Sequence, residues 1–389
     1  MKASLRGSAA IVGVGQAGMG EAHGYTEMEI LAQAANAAVA DAGLQWRDID
    51  GICTASVSSP MWVMSVIEYL GLKPGFIDGT MLGGSSFIAH LMPAMLALEA
   101  GLCQAVLICY GSTQRSAVMG RAQINAARRR LDPQPFEDPY QLFNPVSSYA
   151  LAATRHMHQY GTTREQLAEV AVAARRWAQL NPEAFMRGPL SVDDVLAARM
   201  VSDPLTVRDC CLVTDGAGAL VLVRADRART LPQKPAYVLG QATASWHRQI
   251  SAMPDLCVTA ATESGRKAFE MAGYGPADMD QVQLYDAFTL NVLLFLEDLG
   301  FCAKGEGGDF VSGGGIAPGG HTVVNTNGGG LSCVHPGMYG IFLLIEAVRQ
   351  LRGQCGARQQ AQANLAVVHG NGGTLSSQAT AVLGVADTL

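Results

Sequence analysis

In DGTMLGGSSFIAHLMPAMLALEAGL, residues 78–102, the pattern indicates the end of a strand, a tight turn of small residues and then a helix. The turn is GGSSF at 83–87, which offers two glycines and two serines where many enzymes place a nucleophile. A glycine at 101 ends the helix, and the strand QAVLICYGS at 104–112 follows. The helix is predicted from apolar residues at helical spacing: Ile88, Leu91, Met92, Met95 and Leu98.

The segments before this stretch alternate in the same way. AAIVGVG at 9–15 is a predicted strand. TEMEILAQAANAAVADAG at 26–43 is a predicted helix, with Thr26 as its N-cap and Gly43 as its stop. A further predicted strand is IDGICTAS at 49–56. This alternation predicts an α/β fold with a helix-covered, mostly parallel sheet.

One glycine pattern is misleading. GVGQAG at 13–18 matches GxGxxG after a strand, which is the pattern of dinucleotide-binding turns. Here Gly20 and Gly24 delay the helix, and the next strand ends in ICTAS without a carboxylate. We therefore do not predict a dinucleotide site.

The second half of the chain repeats the first. ADAGLQWRDIDGI at 40–52 matches EMAGYGPADMDQV at 270–282, an offset of 230 residues (270 minus 40). The helix-and-strand pair at 91–112 has a counterpart at 340–373. Matched elements in the same order predict duplicated βαβα halves. Between them we predict an inserted, mainly helical loop domain, and the predicted boundaries are 1–115 plus 207–245 for the first half, 116–206 for the loop domain and 246–389 for the second half.

Composition excludes several classes of protein. The chain has 389 residues, 49% of them hydrophobic and only 15% charged, with a net charge of -6. This balance argues against a nucleic-acid partner. The one basic cluster, Arg128 to Arg130, is either a solvated helix end or a contact for an anionic ligand tail or a partner.

Membrane spans, leader segments and metal sites are not expected either. No apolar run reaches the roughly 18 residues that a membrane span needs, and the first apolar segment is too short for a signal peptide. The nine cysteines are scattered without CxxC spacing. We expect reduced thiols, a cytoplasmic location and no metal.

Four loops carry unusual residues, and in a doubled α/β unit such loops meet at the carboxyl ends of the strands. They are GGSSF (83–87), YDAF (285–288), NTNGGGLSCVHPGMYG (325–340) and HGNGG (369–373). Together and in this order, they resemble the motifs of the thiolase superfamily. That family has NEAF or HDxF, GGxxxxGHP and CxGGG at the last three places. The resemblance covers essentially the whole chain, and it implies the thiolase fold, a layered α-β-α-β-α core.

The first motif departs from the family. Counted back from Gly101, Gly84 stands where thiolases have the acylated cysteine, and His369 stands where they have the second one. Glycine has no side chain to acylate, so we do not expect thiolysis through a covalent intermediate. Ser85 or Ser86 could substitute as the nucleophile if His335 or His369 acted as its base. The two serines could equally well cap the helix and fill space.

The resemblance implies a site for thioester enolates. It implies that His335 holds the enolate oxygen, with Tyr285 and Tyr339 as acid and base in an undecided order. Asp286 would orient or polarise this pair, and each tyrosine has a structural alternative. His369 completes the catalytic candidates. The candidate substrate-binding residues are Gly84, Ser85, Ser86, Asn327 and Gly372, although Asn327 could instead fix the glycine loop together with Asn325.

Within the superfamily, the chain looks most like the thiolase-like lipid-transfer proteins, some of which are aldolases that shorten sterol and bile-acid side chains. The resemblance implies retro-aldol cleavage of a β-hydroxyacyl-CoA, with no cofactor besides the CoA thioester substrate. It also implies a homodimer and a small OB-fold partner, often with a zinc ribbon. The alternatives are an acyltransferase or condensing enzyme, or a non-catalytic subunit that binds acyl-CoA or lipid.

Overall fold

The computed structural model describes residues 5–57, 59, 61–117 and 136–389, so the cluster Arg128 to Arg130 lies outside the described residues. The strands are β1 Ala9–Gly20, β2 Gly51–Thr54, β3 Phe76–Asp78, β4 Ala105–Ser112, β5 Met200–Ser202, β6 Leu205–Thr206, β7 Asp215–Arg224, β8 Ala236–Ser245, β9 Gln281–Leu284, β10 Leu365–Gly372 and β11 Ser377–Gly384. The helices are α1 Glu27–Asp41, α2 Trp62–Leu70, α3 Ser86–Ala89, α4 Leu91–Glu99, α5 Val146–Tyr160, α6 Arg164–Gln179, α7 Val192–Leu196, α8 Ala225–Ala228, α9 Ala261–Ala272, α10 Thr289–Asp298, α11 Gly307–Val311 and α12 Gly340–Arg352.

The main sheet has nine strands in the order β3-β2-β4-β7-β1-β8-β11-β10-β9. Its two halves mirror each other and meet at β1 and β8, which share only the pairs Ala10–Tyr237 and Ile11–Ala236. The βα units pair in parallel, as predicted: β2 with β3 and β4, and β9 with β10. The remaining neighbours are antiparallel, so the complete sheet is mixed.

Helices form three layers around the two half-sheets. Helix α1 packs on β1, β4 and β7, and α9 packs on β8 and β11. Between the half-sheets lie α3, α4 and α12. Helix α4 contacts β7 and β8, and α12 contacts β7 and β10, so each touches both halves. The predicted α-β-α-β-α core is therefore confirmed.

The duplication is visible in hydrogen bonds as well as in topology. Asp50, just before β2, accepts hydrogen bonds from the backbone N–H groups of residues 104 and 105 at 2.8 and 2.9 Å. Its counterpart Asp280, just before β9, accepts them from residues 364 and 365 at 2.8 and 3.0 Å. In each half one carboxylate thus joins the starts of two parallel strands.

The first helix begins and ends where the sequence predicts. Thr26 accepts a hydrogen bond from Glu29 N–H, and the Glu29 carboxylate accepts one from Thr26 N–H, which makes a capping box. The GxGxxG segment lies inside strand β1, and a Cβ at Gly13 or Gly15 would overlap the backbone of α1. These glycines let a helix pack closely on a strand, which agrees with the rejection of a dinucleotide site.

The segment between the halves contains helices α5, α6 and α7 and the short pair β5–β6. Strand β8 lies within the predicted first half, but it pairs along its length with β11 of the second half. The boundary between the halves therefore falls before Ala236, because β8 is the counterpart of β1. Among the helices of the described ranges, none combines the length and the apolar character that a membrane crossing requires.

Candidate active site

The turn before α3 is closed by its own serines. The Ser85 hydroxyl contacts the Leu82 carbonyl at 3.0 Å and the Ser377 hydroxyl on β11. The Ser86 hydroxyl donates to the Gly83 carbonyl at 2.7 Å and accepts from Leu82 N–H at 2.8 Å. Neither serine forms a side-chain N-cap on α3, and among the described residues neither hydroxyl has a hydrogen bond to a histidine. Both serines therefore shape the turn, and their predicted role in substrate binding remains a prediction.

The space where a thiolase would hold its cysteine is filled by a phenol. A Cβ placed on Gly84 would overlap the ring and the hydroxyl of Tyr285. Glycine is required here because Tyr285, from the loop after β9, lies directly on the turn. The position that the motif resemblance assigns to the thiolase cysteine is thus occupied by a side chain from the other half of the molecule.

Tyr285 is paired with Tyr339. The backbone N–H of Tyr339 donates to the Tyr285 hydroxyl oxygen at 3.2 Å, and the two ring centroids lie 5.7 Å apart. The Tyr339 hydroxyl donates to Asn327 Oδ1 at 3.0 Å, which also accepts from Gly329 N–H at 2.8 Å. Burial raises the pKa of both phenols well above the ordinary value. Both are therefore protonated at neutral pH.

His335 lies against both tyrosines. Its ring meets Tyr285 edge-on, with centroids 5.6 Å apart, and stacks on Tyr339 at 6.0 Å. The side chain is buried, and Nε2 has no hydrogen-bond partner among the described residues. Burial lowers the pKa of the imidazole to about 4. It is neutral at pH 7 and has a free nitrogen beside two phenols.

Asp286 holds the loop that carries these groups. Its carboxylate accepts hydrogen bonds from Gly330 N–H at 2.7 Å and from Leu331 N–H at 3.2 Å, both in a single π-helical turn, Gly329–Cys333. Burial raises the pKa of this carboxyl to about 7, although the two N–H donors oppose the rise. Asp286 therefore positions this loop, and its carboxyl gains or loses its proton near neutral pH.

The structure corrects the catalytic assignment of His369. Its Nδ1 contacts Thr380 at 2.8 Å, its Nε2 contacts Gln378 at 3.0 Å, and its ring meets Phe295 edge-on. Side chains alternate along a strand, so it is the next residue, Gly370, that faces the turn at Ser85. Both His369 nitrogens are occupied on the opposite face of β10. His369 is therefore a core histidine.

The glycine loop at 369–373 brings its backbone, and not its side chains, against the turn at Gly84. A Cβ on Gly372 would overlap the Leu82 carbonyl, and one on Gly83 would lie 2.9 Å from Gly373 N. The end of β10 thus lies backbone-on-backbone against the turn at Gly84. Gly372 brings the two loops together at this point, and its predicted role in substrate binding remains a prediction.

Two site residues were missed from the sequence, Tyr149 of α5 and Cys211. The Tyr149 hydroxyl accepts from Asn371 Nδ2 at 2.7 Å, and its ring stacks on Phe288 at 4.3 Å. After burial, the nearby Cys211 thiol is the next cause of the raised pKa of Tyr285. Burial raises the pKa of Cys211 itself far above its ordinary value. The only sequence signal for Cys211 was its adjacency to Cys210. The sequence of the inserted segment gave no signal for Tyr149.

The arrangement can hold and protonate a carbanion. It contains two protonated phenols, one neutral imidazole with a free nitrogen and no activated thiol. Within the part of the chain that the structure describes, no group of three or more His, Cys, Asp or Glu side chains is placed to bind a metal ion. The chemistry available is proton transfer beside a polarised substrate oxygen.

Comparison with known proteins agrees with this geometry. Residues 242–385 match the family model "Thiolase C-terminal domain-like". The chain is 35% identical to the steroid side-chain-cleaving aldolase of Thermomonospora curvata, over 95% of this chain and 96% of that protein. It is also 35% identical to 17-hydroxy-3-oxo-4-pregnene-20-carboxyl-CoA lyase of Mycobacterium tuberculosis, over 90% and 92%.

A solved structure, the Ltp2–ChsH2 (DUF35) aldolase, superposes with a TM-score of 0.88 at 32% identity and covers 98% of both chains. Human mitochondrial 3-ketoacyl-CoA thiolase shares the fold, with a TM-score of 0.71 at 16% identity over 99% of this chain and 100% of the other. The resemblance found in the motifs is confirmed. The chain belongs to the thiolase superfamily, in the branch that contains the steroid side-chain-cleaving aldolases.

Proposed function

We propose that this protein is a carbon–carbon lyase that cleaves a β-hydroxyacyl-CoA by a retro-aldol reaction, without a covalent acyl-enzyme. The observation that carries the proposal is the Tyr285 phenol, which fills the space of the missing nucleophile at Gly84. Retro-aldol cleavage needs an acid, a base and support for the enolate, and it needs no nucleophile. The proposed reaction uses groups of this chain and the thioester substrate alone.

The hydrogen bonds distinguish the two tyrosines. Tyr339 already donates its proton to Asn327, so the lone pairs of its oxygen can receive the β-hydroxyl proton of the substrate. The Tyr285 oxygen accepts the Tyr339 N–H at the N-terminus of α12, so its own proton can go to the substrate. The positive end of α12 also stabilises the phenolate that remains. We assign Tyr339 as the base and Tyr285 as the acid.

The protons balance through His335. Because Tyr339 is protonated at rest, its hydroxyl turns from Asn327 to the free His335 Nε2, passes its own proton to that nitrogen and takes the β-hydroxyl proton in exchange. The Cα–Cβ bond breaks, a ketone or aldehyde forms, and the electron pair becomes the thioester enolate. The new imidazolium stabilises that enolate, and Tyr285 protonates it at Cα. The imidazolium then returns its proton to the Tyr285 phenolate, whose ring centroid lies 5.6 Å away.

We infer a steroid side chain as the acyl group. Two relatives at 35% identity over nearly their full length are named for steroid side-chain cleavage and for a pregnene carboxyl-CoA lyase. The same mechanism serves other β-hydroxyacyl-CoA thioesters, so the acyl skeleton is tested separately from the reaction. Release of a steroid ketone from the CoA thioester would support this choice, and turnover of only simple aliphatic thioesters would contradict it.

Hydrogen exchange at Cα tests the roles of the two tyrosines. The acyl-CoA product is incubated with enzyme in D2O, and deuterium at Cα is followed by mass spectrometry. If Tyr285 handles the Cα proton, Tyr285→Phe loses exchange while Tyr339→Phe keeps it, and both lose ketone release. Exchange lost in Tyr339→Phe but kept in Tyr285→Phe would reverse the assignment. Acyl-CoA binding without turnover or exchange would indicate a non-catalytic subunit.

Acyl transfer is the second candidate, because a relative from Methanothermobacter thermautotrophicus named acetyl-CoA acetyltransferase is 33% identical over 94% of this chain and 96% of that protein. The site offers little to it. Ser85 is bonded to Leu82 and Ser377, and burial keeps the Cys211 thiol protonated by raising its pKa. Transfer of a labelled acyl group between CoA molecules would favour this candidate over the lyase.

We further propose two protein partners. The solved aldolase neighbour is a complex with a DUF35 protein, and we infer a partner of that kind here, with an OB-fold. A second copy of the chain is proposed at the edge strand β3, where Ile77 is 51% exposed; Met61 and Met64, at the start of α2, are exposed as well. Light scattering of wild type and Ile77→Lys tests the dimer, which the charge should dissociate. A monomeric wild type would contradict it.

A reducing compartment such as the cytoplasm is the proposed location. All nine cysteines are unpaired in the structure. Unpaired buried thiols are typical of proteins from reducing environments. Localisation of a tagged chain by fractionation tests this, and recovery from an oxidising compartment would contradict it.

A further inference from the structure

A buried ion pair lies behind the candidate site, between α12 and the loop that follows this helix. The Glu346 carboxylate accepts hydrogen bonds from Arg358 Nε at 2.9 Å and from Arg358 Nη2 at 3.0 Å, in a bidentate arrangement. Neither residue belongs to a motif loop, and the proposed reaction uses neither. A buried ion pair contributes little net stability, because both charges lose their hydration. The pair is therefore better explained by what it holds in place than by the energy it contributes.

The pair is joined to the loop that carries Asn327. Thr326 is fully buried, and its hydroxyl donates to Glu346 Oε1 at 2.6 Å and accepts from Gln283 Nε2 at 3.2 Å. The next residue, Asn327, accepts a hydrogen bond from the Tyr339 hydroxyl at 3.0 Å. Glu346 follows Tyr339 by seven residues (346 minus 339), which is about two turns of α12. Two side-chain hydrogen bonds thus fasten this loop to α12, one at the start of the helix and one about two turns further along.

Tyr285 is held by a different residue of the same loop. The Asn325 side chain accepts from Leu284 N–H at 2.7 Å and donates to the Leu284 carbonyl at 2.9 Å. Leu284 directly precedes Tyr285. These bonds hold Asn325 at a φ of 52°, a left-handed conformation that is uncommon for residues other than glycine. The loop therefore serves the two phenols separately, since Asn325 holds the chain at Tyr285 and Asn327 holds the Tyr339 hydroxyl.

We propose that Thr326, held by the buried ion pair, positions the Tyr339 base through Asn327. The inference rests on the proposed function, because Tyr339 is the base of that reaction. Arg358 fixes the Glu346 carboxylate, the carboxylate fixes the Thr326 hydroxyl, and the backbone carries that position to the next residue. Burial raises the pKa of Tyr339, and the charge of Glu346 adds to that rise. Thr326 and the ion pair act through Asn327, so they are positioning residues and not catalytic residues.

Thr326→Val in the full-length chain is the variant that tests the proposal. It removes the hydroxyl and leaves the ion pair in place. Glu346 Oε1 keeps its bond from Arg358 Nε, and Gln283 Nε2 keeps its bond to Gln281 Oε1 at 3.0 Å. Each former partner of the hydroxyl thus retains a hydrogen bond, and the variant should fold.

The variant should separate the two halves of the reaction. Ketone release needs Tyr339, so its kcat should fall about 10-fold or more, since a misplacement of about 1 Å can cost roughly 100-fold. Exchange at Cα in D2O needs Tyr285, which Asn325 holds independently, so this exchange should stay at the wild-type rate. KM should change little. Thr326→Ser restores the hydroxyl and should restore kcat.

Thr259→Val is the matched control. The Thr259 hydroxyl is also fully buried, and it donates at 2.8 Å to Asp298, a carboxylate that is paired with Lys304. It accepts one N–H as well, that of Ala261 at 3.1 Å. The control therefore removes the same kind of hydroxyl from an ion-paired carboxylate, at the start of α9 and outside the site. It should keep wild-type turnover.

Backbone hydrogen exchange of residues 327–333, followed by mass spectrometry, adds a readout that needs no activity. Gly329 N–H donates to Asn327 Oδ1 at 2.8 Å, so this loop should exchange faster in Thr326→Val than in wild type or Thr259→Val. The proposal is overturned if Thr326→Val keeps its turnover, if ketone release and Cα exchange fall by the same factor, or if Thr259→Val loses as much turnover. Faster loop exchange in a chain without lyase activity would support the positioning role and refute the lyase. Equal turnover in wild type and Thr326→Val would do the reverse.

Discussion

Removing the Tyr339 hydroxyl should abolish most activity at little cost in stability. In Tyr339→Phe, Asn327 Oδ1 loses one donor but keeps Gly329 N–H at 2.8 Å, so the glycine loop stays held. One buried hydrogen bond contributes roughly 0.5–1.5 kcal/mol to stability. Loss of a general base typically lowers turnover by about 10² to 10⁴. That range equals roughly 3–5 kcal/mol of transition-state stabilisation, so the loss in kcat should clearly exceed the loss in stability.

The assay measures ketone release from a β-hydroxyacyl-CoA at saturating substrate, together with urea unfolding of the same preparations. Tyr274→Phe is the matched control, because it also removes one phenol hydrogen bond to an oxygen, the Thr388 carbonyl at 3.1 Å, far from the site. Both variants should unfold at similar urea concentrations, and only Tyr339→Phe should lose turnover. A Tyr339→Phe enzyme with kcat within a few-fold of wild type would refute its role as the base.

Three further predictions follow from the same contacts. Gly84→Ala forces its methyl group into the Tyr285 ring, so turnover should fall about as far as in Tyr285→Phe, with a stability loss of roughly 1–3 kcal/mol from overpacking; unchanged turnover and melting temperature would contradict the contact. Because the pKa of Asp286 is raised to about 7, the unfolded chain ionises this carboxyl between about pH 4 and 7 while the native state keeps it protonated, so wild type loses stability as the pH rises, and Asp286→Asn should gain stability relative to wild type by roughly 4 kcal/mol across that window; a difference in urea midpoint between the two proteins that stays the same at both ends of the window would contradict the shift. Cys211→Ser should keep turnover within a few-fold, because a protonated thiol is no nucleophile; a loss of 100-fold or more would show that it is.

The fold was predictable because its signals are local and repeated. Thr26 and Gly43 predicted helix α1, and the matched segments that contain Asp50 and Asp280 predicted the duplicated halves. The mixed character of the sheet was not predicted. Strands β7 and β11 complete each half as antiparallel neighbours, and no crossover helix in the sequence signals this kind of pairing. Pairing across β1 and β8 is also a long-range property that no short segment encodes.

The site was predictable in its residue types and less so in its contacts. Gly84, Tyr285, His335 and Tyr339 lie together because each belongs to a motif loop at the same end of the strands. That the Tyr285 ring lies on Gly84 depends on how two loops from different halves meet, which sequence spacing does not fix. His369 was assigned to the wrong face of strand β10. Successive side chains of a strand face opposite sides, and it is the neighbouring Gly370 that faces the turn.

Intact-protein mass spectrometry during turnover tests the central claim most directly. The enzyme is mixed with a β-hydroxyacyl-CoA, quenched in acid within the first turnovers and weighed. We predict an unmodified chain at every time point, because the thioester stays on CoA while its enolate is held by Tyr285, Tyr339 and His335. A mass increase equal to the acyl group, located on Ser85 or Cys211 and formed and lost at the rate of turnover, would contradict the account.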